Sequence, residues 1–215
     1  MSVILSLETS TDVCSVALHD GRRLLAEAVL HQPQAHASRL APLINQVILE
    51  SHLHLKDLQA IAVSSGPGSY TGLRIGTSTA KGLCYGLEIP LIAVGTLELL
   101  AYQGSAVNDQ RALLCPMIDA RRMEVYCLVA DAELKIIEEA SARVIDENSF
   151  AELLEDRKVL FFGSGSGKCQ NTIHHPNALF KSGIVPLASA LGEMADAKYA
   201  AGLFEDLVHF KPFYL

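Results

Sequence analysis

Apolar positions come in three short blocks before the first proline. Ile4 to Glu8, Cys14 to Leu18 and Leu24 to Leu30 read as strands, and the Asp20-Gly21 pair predicts a hairpin turn between the last two. Gln32-Pro33 ends this pattern. Leu40, Leu43, Ile44, Val47 and Ile48 then recur at spacings of three and four, which predicts an amphipathic helix from His36 to Ser51. A buried strand from Ile61 to Ser65 leads through Gly66-Pro67-Gly68-Ser69-Tyr70-Thr71-Gly72 into a second helix ending near Gly86. Pro90 to Val94 forms another strand, followed by a helix to about Tyr102.

From residue 112 the order starts again. Ala112 to Ile118, Met123 to Val129 and Leu134 to Ala140 read as strands, followed by a helix over Ser149 to Asp156 and a strand over Val159 to Phe162. A glycine-serine turn, a short helix, a strand near Gly183 to Val185 and a helix over Ser189 to Leu203 complete the repeat. Three strands followed by alternating helix and strand, twice over, is an α/β layout. It predicts two ribonuclease-H-like lobes of the actin-like ATPase superfamily, because a Rossmann domain alternates strand and helix from its start. The polar stretch 103–111 marks the boundary, giving an N-terminal lobe over 1–105 and a smaller C-terminal lobe over 106–215.

Half of the 215 residues are hydrophobic, enough to build a core without metal or disulfide. The five cysteines stand singly with no C-x-x-C spacing, which points to a reducing cytosol and a cytoplasmic protein. No basic segment precedes the first apolar run, so no signal peptide is expected. The most apolar later stretch, Leu83 to Tyr102, carries Glu88, Pro90 and Glu98, so no membrane role is expected either. A net charge of −7, with no basic run longer than Arg121-Arg122, predicts that a partner supplies most of any contact with nucleic acid.

Among local motifs, the glycine turn before the second helix supports two readings. Gly68, Ser69 and Thr71 there, with Thr9 and Ser10 at the end of the first strand, have the makings of a nucleotide or anion site of backbone amides and hydroxyls. A tight strand-to-helix connection would call for the same glycines, and a plain Ser/Thr turn accounts equally well for Thr9 and Ser10. Gly163 to Lys168 misses the P-loop pattern at Phe162 and Cys169, and the eight histidines lack metal-ligand spacing and read as solvated loop residues. Gly72, Gly76 and Ala80 recur every fourth residue and leave one helix face flat enough for another backbone. Ile75, Thr79 and Leu83 form a second stripe beside it.

Together, Leu7-Glu8-Thr9-Ser10-Thr11, the segment Ser65 to Gly76, Asp119-Ala120-Arg121 with Glu124-Val125-Tyr126, and the closing Pro212-Phe213-Tyr214-Leu215 resemble the bacterial TsaB family, also described as YeaZ-type glycoprotease homologues. The resemblance spans the whole chain and stops one residue short of the arginine that often closes the family's last motif. It implies a non-catalytic partner of TsaD, the enzyme that transfers a threonylcarbamoyl group to the adenosine beside the tRNA anticodon, with the ATPase TsaE joining the complex and tRNA met only through that complex. Thr96 and Leu100 stand where TsaD carries its metal-binding histidines, so no catalytic or metal-binding residue is implied here.

The resemblance also implies a partner interface on the two N-terminal-lobe helices, at Leu40, Leu43, Ile44, Val47, Gly72, Gly76, Ala80 and Leu83. Gly76→Leu is then expected to break the heterodimer and spare the monomer. An exposed apolar helix pair would also favour a homodimer when the chain is alone. No cofactor is fixed by the residues; ATP or ADP at or near the partner contact is the candidate. The competing readings are a small-molecule kinase of the same superfamily, which needs an intact phosphate loop, and a protease, for which no nucleophile constellation exists.

Overall fold

The computed structural model describes residues 2–215, which divide into two units. The first takes the chain up to Leu99 together with Pro186–Tyr214, and the second takes Leu100–Val185 with Leu215.

In the first unit, β1 (Val3–Glu8), β2 (Cys14–Asp20) and β3 (Arg23–Leu30) form an antiparallel meander. After α1 (His36–Glu50), the strands β4 (Ala60–Ser64) and β5 (Leu91–Val94) add in parallel on the far side of β1, flanking α2 (Tyr70–Leu87) in sequence. The sheet order is β3-β2-β1-β4-β5. Strand alternation sends Leu5, Leu7, Val16, Leu18, Ile61 and Val63 to the face covered by α1 and α2. Ile4, Ala60, Ala62, Ile92 and Val94 go to the opposite face, where Leu191 and Ala195 cover them.

The second unit begins at Leu100, within α3 (Thr96–Ser105). It has β6 (Leu113–Asp119), β7 (Glu124–Ala130), β8 (Ile136–Val144), α4 (Ala151–Asp156), β9 (Val159–Phe162), α5 (Ser166–Cys169) and β10 (Ala178–Lys181). Its sheet order, β8-β7-β6-β9-β10, repeats the third-second-first-fourth-fifth order of the first unit. Phe161 lies at its centre, with ring centroids 5.1 Å from Phe150 and 5.2 Å from Phe180. Unusually, Pro116 sits in the central strand. The pairing of β6 with β7 runs from Leu114↔Ala130 to Met117↔Cys127 with no partners recorded between, as a residue without an N–H requires.

Two expectations need correction. The last strand is Ala178–Lys181, paired in parallel with β9, whereas Gly183 has φ 84° and lies outside any strand. The division of the chain at 105/106 also differs from the structure, because α6 (Ala188–Ala200) and the segment after it belong to the first unit. Leu191 and Ala195 complete the core under the first sheet, a pairing across nearly the whole sequence that local pattern cannot show.

Beneath α6 the sheet changes from apolar to polar. Register pairs Ile4 with His19, Ser6 with Ala17 and Glu8 with Ser15, so one face carries Ser6, Glu8, Ser15 and His19, all fully buried. Ser15 Oγ accepts from the Ala188 amide at 2.9 Å and Glu27 Oε1 from the Ser189 amide at 3.2 Å, capping the start of α6. Gly192 crosses directly over the His19 ring, where a methyl group would overlap the imidazole. Burial holds the His19 pKa below its ordinary value against the opposing pull of Glu193, Glu27 and Asp196. Burial likewise raises that of Glu8, although the Ser10 hydroxyl and amide both donate to its Oε1. Ser64 Oγ lies close enough to temper the rise, yet neither it nor Glu8 Oε2 makes a hydrogen bond of proper geometry.

Gly192→Ala should cost about 1–3 kcal/mol in urea unfolding through its clash with His19. Gly82→Ala, with open space around it on α2, should gain up to about 1 kcal/mol from helix propensity. Equal midpoints for the two variants would contradict this packing. Glu8 makes stability depend on pH: its folded pKa is raised from 4.5, so its contribution is present below that pH and is lost as pH rises through the folded value. The stability of Glu8→Gln relative to the parent should therefore rise as pH increases above 4.5. A variant that loses ground over that range would mean that Glu8 is stabilised as the carboxylate.

Candidate functional site

The glycine-rich start of α2 rests on the β1–β2 hairpin. Ser69 caps the helix, its Oγ accepting from the Gly72 amide at 3.3 Å, while its own amide donates to the Ser10 carbonyl at 2.7 Å. Thr9 Oγ1 donates to the Gly72 carbonyl at 2.8 Å. Side chains at 68, 72 or 76 would overlap the Ser10 carbonyl, the Thr9 carbonyl and Thr9 Oγ1 in turn. The flat face is therefore filled from within, at Gly72 and Gly76 by the chain's own hairpin and at Ala80 by the core. All three residues are buried, so Gly76→Leu attacks the fold and not an assembly, contrary to expectation.

The five residues of the candidate anion site do come together here. Thr9 and Ser10 are fully buried, however, and the Ser10 carbonyl, an acceptor, occupies the place at the Ser69 amide that an anion would take. Gly68 is half-buried, and Ser69 and Thr71 lie on the surface. The hydroxyls of Thr9 and Ser69 are already committed within the turn.

Of the other proposed contact residues, Leu40, Leu43, Ile44 and Val47 point inward, each no more than 7% exposed, and Leu83 packs partly buried beside them. They form the core because one stripe of each helix must cover the sheet. What faces outward is a different set. Tyr70, Arg74, Ser78 and Tyr85 follow one another along the exposed side of α2, with Tyr85 81% exposed. Ala37 at the start of α1 and Tyr70, Thr71, Arg74, Ile75, Ser78 and Thr79 line an open depression of about 480 Å³. Pro42 breaks the hydrogen-bond ladder on the outer side of α1.

The C-terminal segment also reaches α2, which local pattern does not reveal. Lys81 Nζ donates to the Val208 and Phe210 carbonyls, both at 3.2 Å, and the Phe213 amide donates to the Ser65 carbonyl at 2.6 Å. The Tyr214 ring lies 5.2 Å from Tyr70, which in turn lies under the Arg74 guanidinium. The spacing 70, 74, 78 and 85 was the available signal for the outer stripe, masked by the more regular glycine spacing beside it.

Elsewhere the histidines divide. His19 and His36 are buried, contrary to the solvated reading, with His36 Nε2 3.3 Å from the Val13 carbonyl; the other six are exposed. No group of three or more His, Cys, Asp or Glu among the described residues is placed to hold a metal. Thr96 and Leu100, one turn apart on α3, are both buried. In the second unit, Lys168 at the end of the glycine-serine turn binds the Asp119 carboxylate and so serves as a structural clamp.

The family model described as TsaD, tRNA N6-adenosine threonylcarbamoyltransferase, matches residues 23–188. The tRNA threonylcarbamoyladenosine biosynthesis protein TsaB of Bacillus subtilis is 35% identical over 166 residues, covering 74% of this chain and 70% of that protein. Its counterpart in Escherichia coli is 40% identical over 123 residues, covering 57% of this chain and 52% of its own length. The chain thus spans about half of the second relative. The solved structure of YeaZ from Pseudomonas aeruginosa superposes over the full length of both chains with a TM-score of 0.82 at 27% identity. A 2-hydroxyisocaproyl-CoA dehydratase activator from Clostridium difficile, solved with ADPNP, shares the fold alone, at a TM-score of 0.51 and 9% identity. Two units of one topology, a glycine-flattened helix seated on its own hairpin and these likenesses agree: the chain belongs to the TsaB (YeaZ) family of tRNA threonylcarbamoyladenosine biosynthesis proteins, on the actin-like ATPase fold.

Proposed function

We propose that the chain is a non-catalytic partner subunit of a TsaD-type threonylcarbamoyltransferase. The observation that carries this reading is the start of α3, where the resemblance puts the catalytic relative's metal ligands. Here a hydroxyl and an isobutyl group, Thr96 and Leu100, stand in their place, both buried and neither able to replace an imidazole. The chain then contributes a rigid surface and not reacting groups.

The docking surface in this reading is the outward side of α1 and α2, comprising Ala37, the stripe Tyr70, Arg74, Ser78 and Tyr85, and the half-buried Ile75 and Thr79. Aromatic and arginine side chains around a depression are the composition of protein interfaces. The buried residues Leu40, Leu43, Ile44, Val47, Gly72, Gly76 and Ala80 act behind it by fixing the two helices. TsaE would join the same assembly, the family's setting would be cytoplasmic, and the same face would pair two copies of this chain when the partner is absent. Any ATP or ADP of the assembly would sit at or near the partner contact, because the Ser10 carbonyl already takes up the Ser69 amide at the start of α2.

Ser78→Trp fills the depression without touching the core. It should weaken association with a TsaD-type partner about tenfold or more, a loss of roughly 1.4 kcal/mol, with thermal unfolding unchanged. Size-exclusion chromatography of the mixed proteins reads the association, and undiminished co-elution would remove this face from the proposal.

A further inference from the structure

The connection between β6 and β7 holds two consecutive arginines in left-handed backbone conformation, Arg121 at φ 72° and Arg122 at φ 44°. Residues with a Cβ pay roughly 1–2 kcal/mol each for that region, which hairpins ordinarily fill with Asn or Gly. The turn therefore carries strain that glycine would relieve, and retains two guanidinium groups in exchange. Both side chains are exposed, and among the described residues neither takes part in an ion pair, a side-chain hydrogen bond or a ring contact.

The backbone beneath them is fixed from several sides. Lys168 Nζ binds the Asp119 carboxylate and donates to the carbonyls of Arg121 and Glu124, at 3.3 and 2.7 Å. The Arg121 amide donates to Asp119 Oδ1 at 2.8 Å, the Glu124 amide to the Arg121 carbonyl at 3.0 Å, and the Asp119 amide to Ser164 Oγ at 3.2 Å. Partial burial opposes ionisation of Asp119, but the Lys168 and Arg121 hydrogen bonds and the Lys168 charge outweigh it and lower its pKa. The adjoining Asp119 is thus an anion already neutralised by Lys168. The half-buried Glu124 pairs with neither arginine. A lysine holds the loop, and the two arginines are left over, pinned at their base and free at their ends.

We propose that Arg121 and Arg122 contact the sugar-phosphate backbone of tRNA when the chain is part of its assembly. The inference rests on the partner-subunit reading for what brings the RNA near, and on the hairpin for what meets it. Guanidinium is weakly hydrated and its planar fork matches phosphate oxygens, so two adjacent forks on a fixed turn suit a phosphodiester chain. Because the chain's net charge is −7, its average field repels RNA and attraction must be local. The relatives are named for tRNA modification, which makes RNA the phosphate polymer at hand. This changes the expectation that tRNA is met only through the partner.

The test uses an unmodified tRNA transcript titrated into the complex with a TsaD-type partner, and into the isolated chain at low salt, across a salt series. Arg121→Gly/Arg122→Gly relieves the backbone strain, so its thermal midpoint should equal or exceed the parent's. Its association with the partner should be unchanged, its tRNA affinity should fall about tenfold, and the slope of log affinity against log salt should drop by about one per arginine. Arg121→Lys/Arg122→Lys should restore the slope and only part of the affinity. Unaltered affinity and slope in an assembled complex overturn the inference and leave the partner-subunit reading intact. Weakened association with the partner protein at constant tRNA affinity also overturns it, by assigning the arginines to an acidic protein surface. If no complex forms with the parent chain, the partner-subunit reading fails. The arginine-dependent slope of the isolated chain then decides the inference alone, its presence upholding the RNA contact and its absence overturning it.

Discussion

The seat of the β1–β2 hairpin on α2 is the contact on which the first unit depends. Three backbone positions without side chains, Gly68, Gly72 and Gly76, let the carbonyls of Ser10 and Thr9 and the Thr9 hydroxyl approach the helix directly. Two hydrogen bonds, Ser69 amide to Ser10 carbonyl and Thr9 hydroxyl to Gly72 carbonyl, lock the arrangement. Because the helix start is satisfied from within, its polar groups are spent on holding the scaffold. With α2 fixed this way, the side chains on its far side, from Tyr70 to Tyr85, are held at set positions on the surface, as a docking face needs.

The opposite side of the same sheet is organised by polarity. Glu8, Ser15, Ser64 and His19 lie fully buried toward α6, a helix that arrives from the end of the chain. A buried carboxyl and a buried imidazole are costly, and they persist where neighbouring groups offset the cost. Ser10 supplies two donors to Glu8, and α6 passes over His19 only because residue 192 has no side chain. The first unit is thus closed by residues nearly two hundred positions apart. Its last segment, tied at Lys81 and Ser65, then runs along α2 to Tyr70.

Much of this was readable in order along the chain. Period-two blocks located the strands of both meanders, the spacing of Leu40 to Ile48 located α1, and the duplicated order implied two lobes of one topology. What failed was non-local. Nothing in Ala188–Ala200 says which sheet it covers, and a glycine stripe looks the same whether a partner or the chain's own hairpin lies against it. The apolar residues of α1 were rightly placed on one face, but that face belongs to the core, and the residues proposed for docking are those left over once it is filled. His19 looked like a surface residue because a single imidazole gives no sign that a distant glycine will pass over it.

A reconstituted transfer assay tests the account most directly. Threonylcarbamoyl incorporation into tRNA would be followed with this chain alone, with a TsaD-type enzyme alone and with both, each with the same adenylate donor. The account predicts incorporation above the enzyme-alone level only when both are present, and none from this chain by itself. Incorporation by the isolated chain, or a rate with the enzyme that is indifferent to its addition, would contradict it.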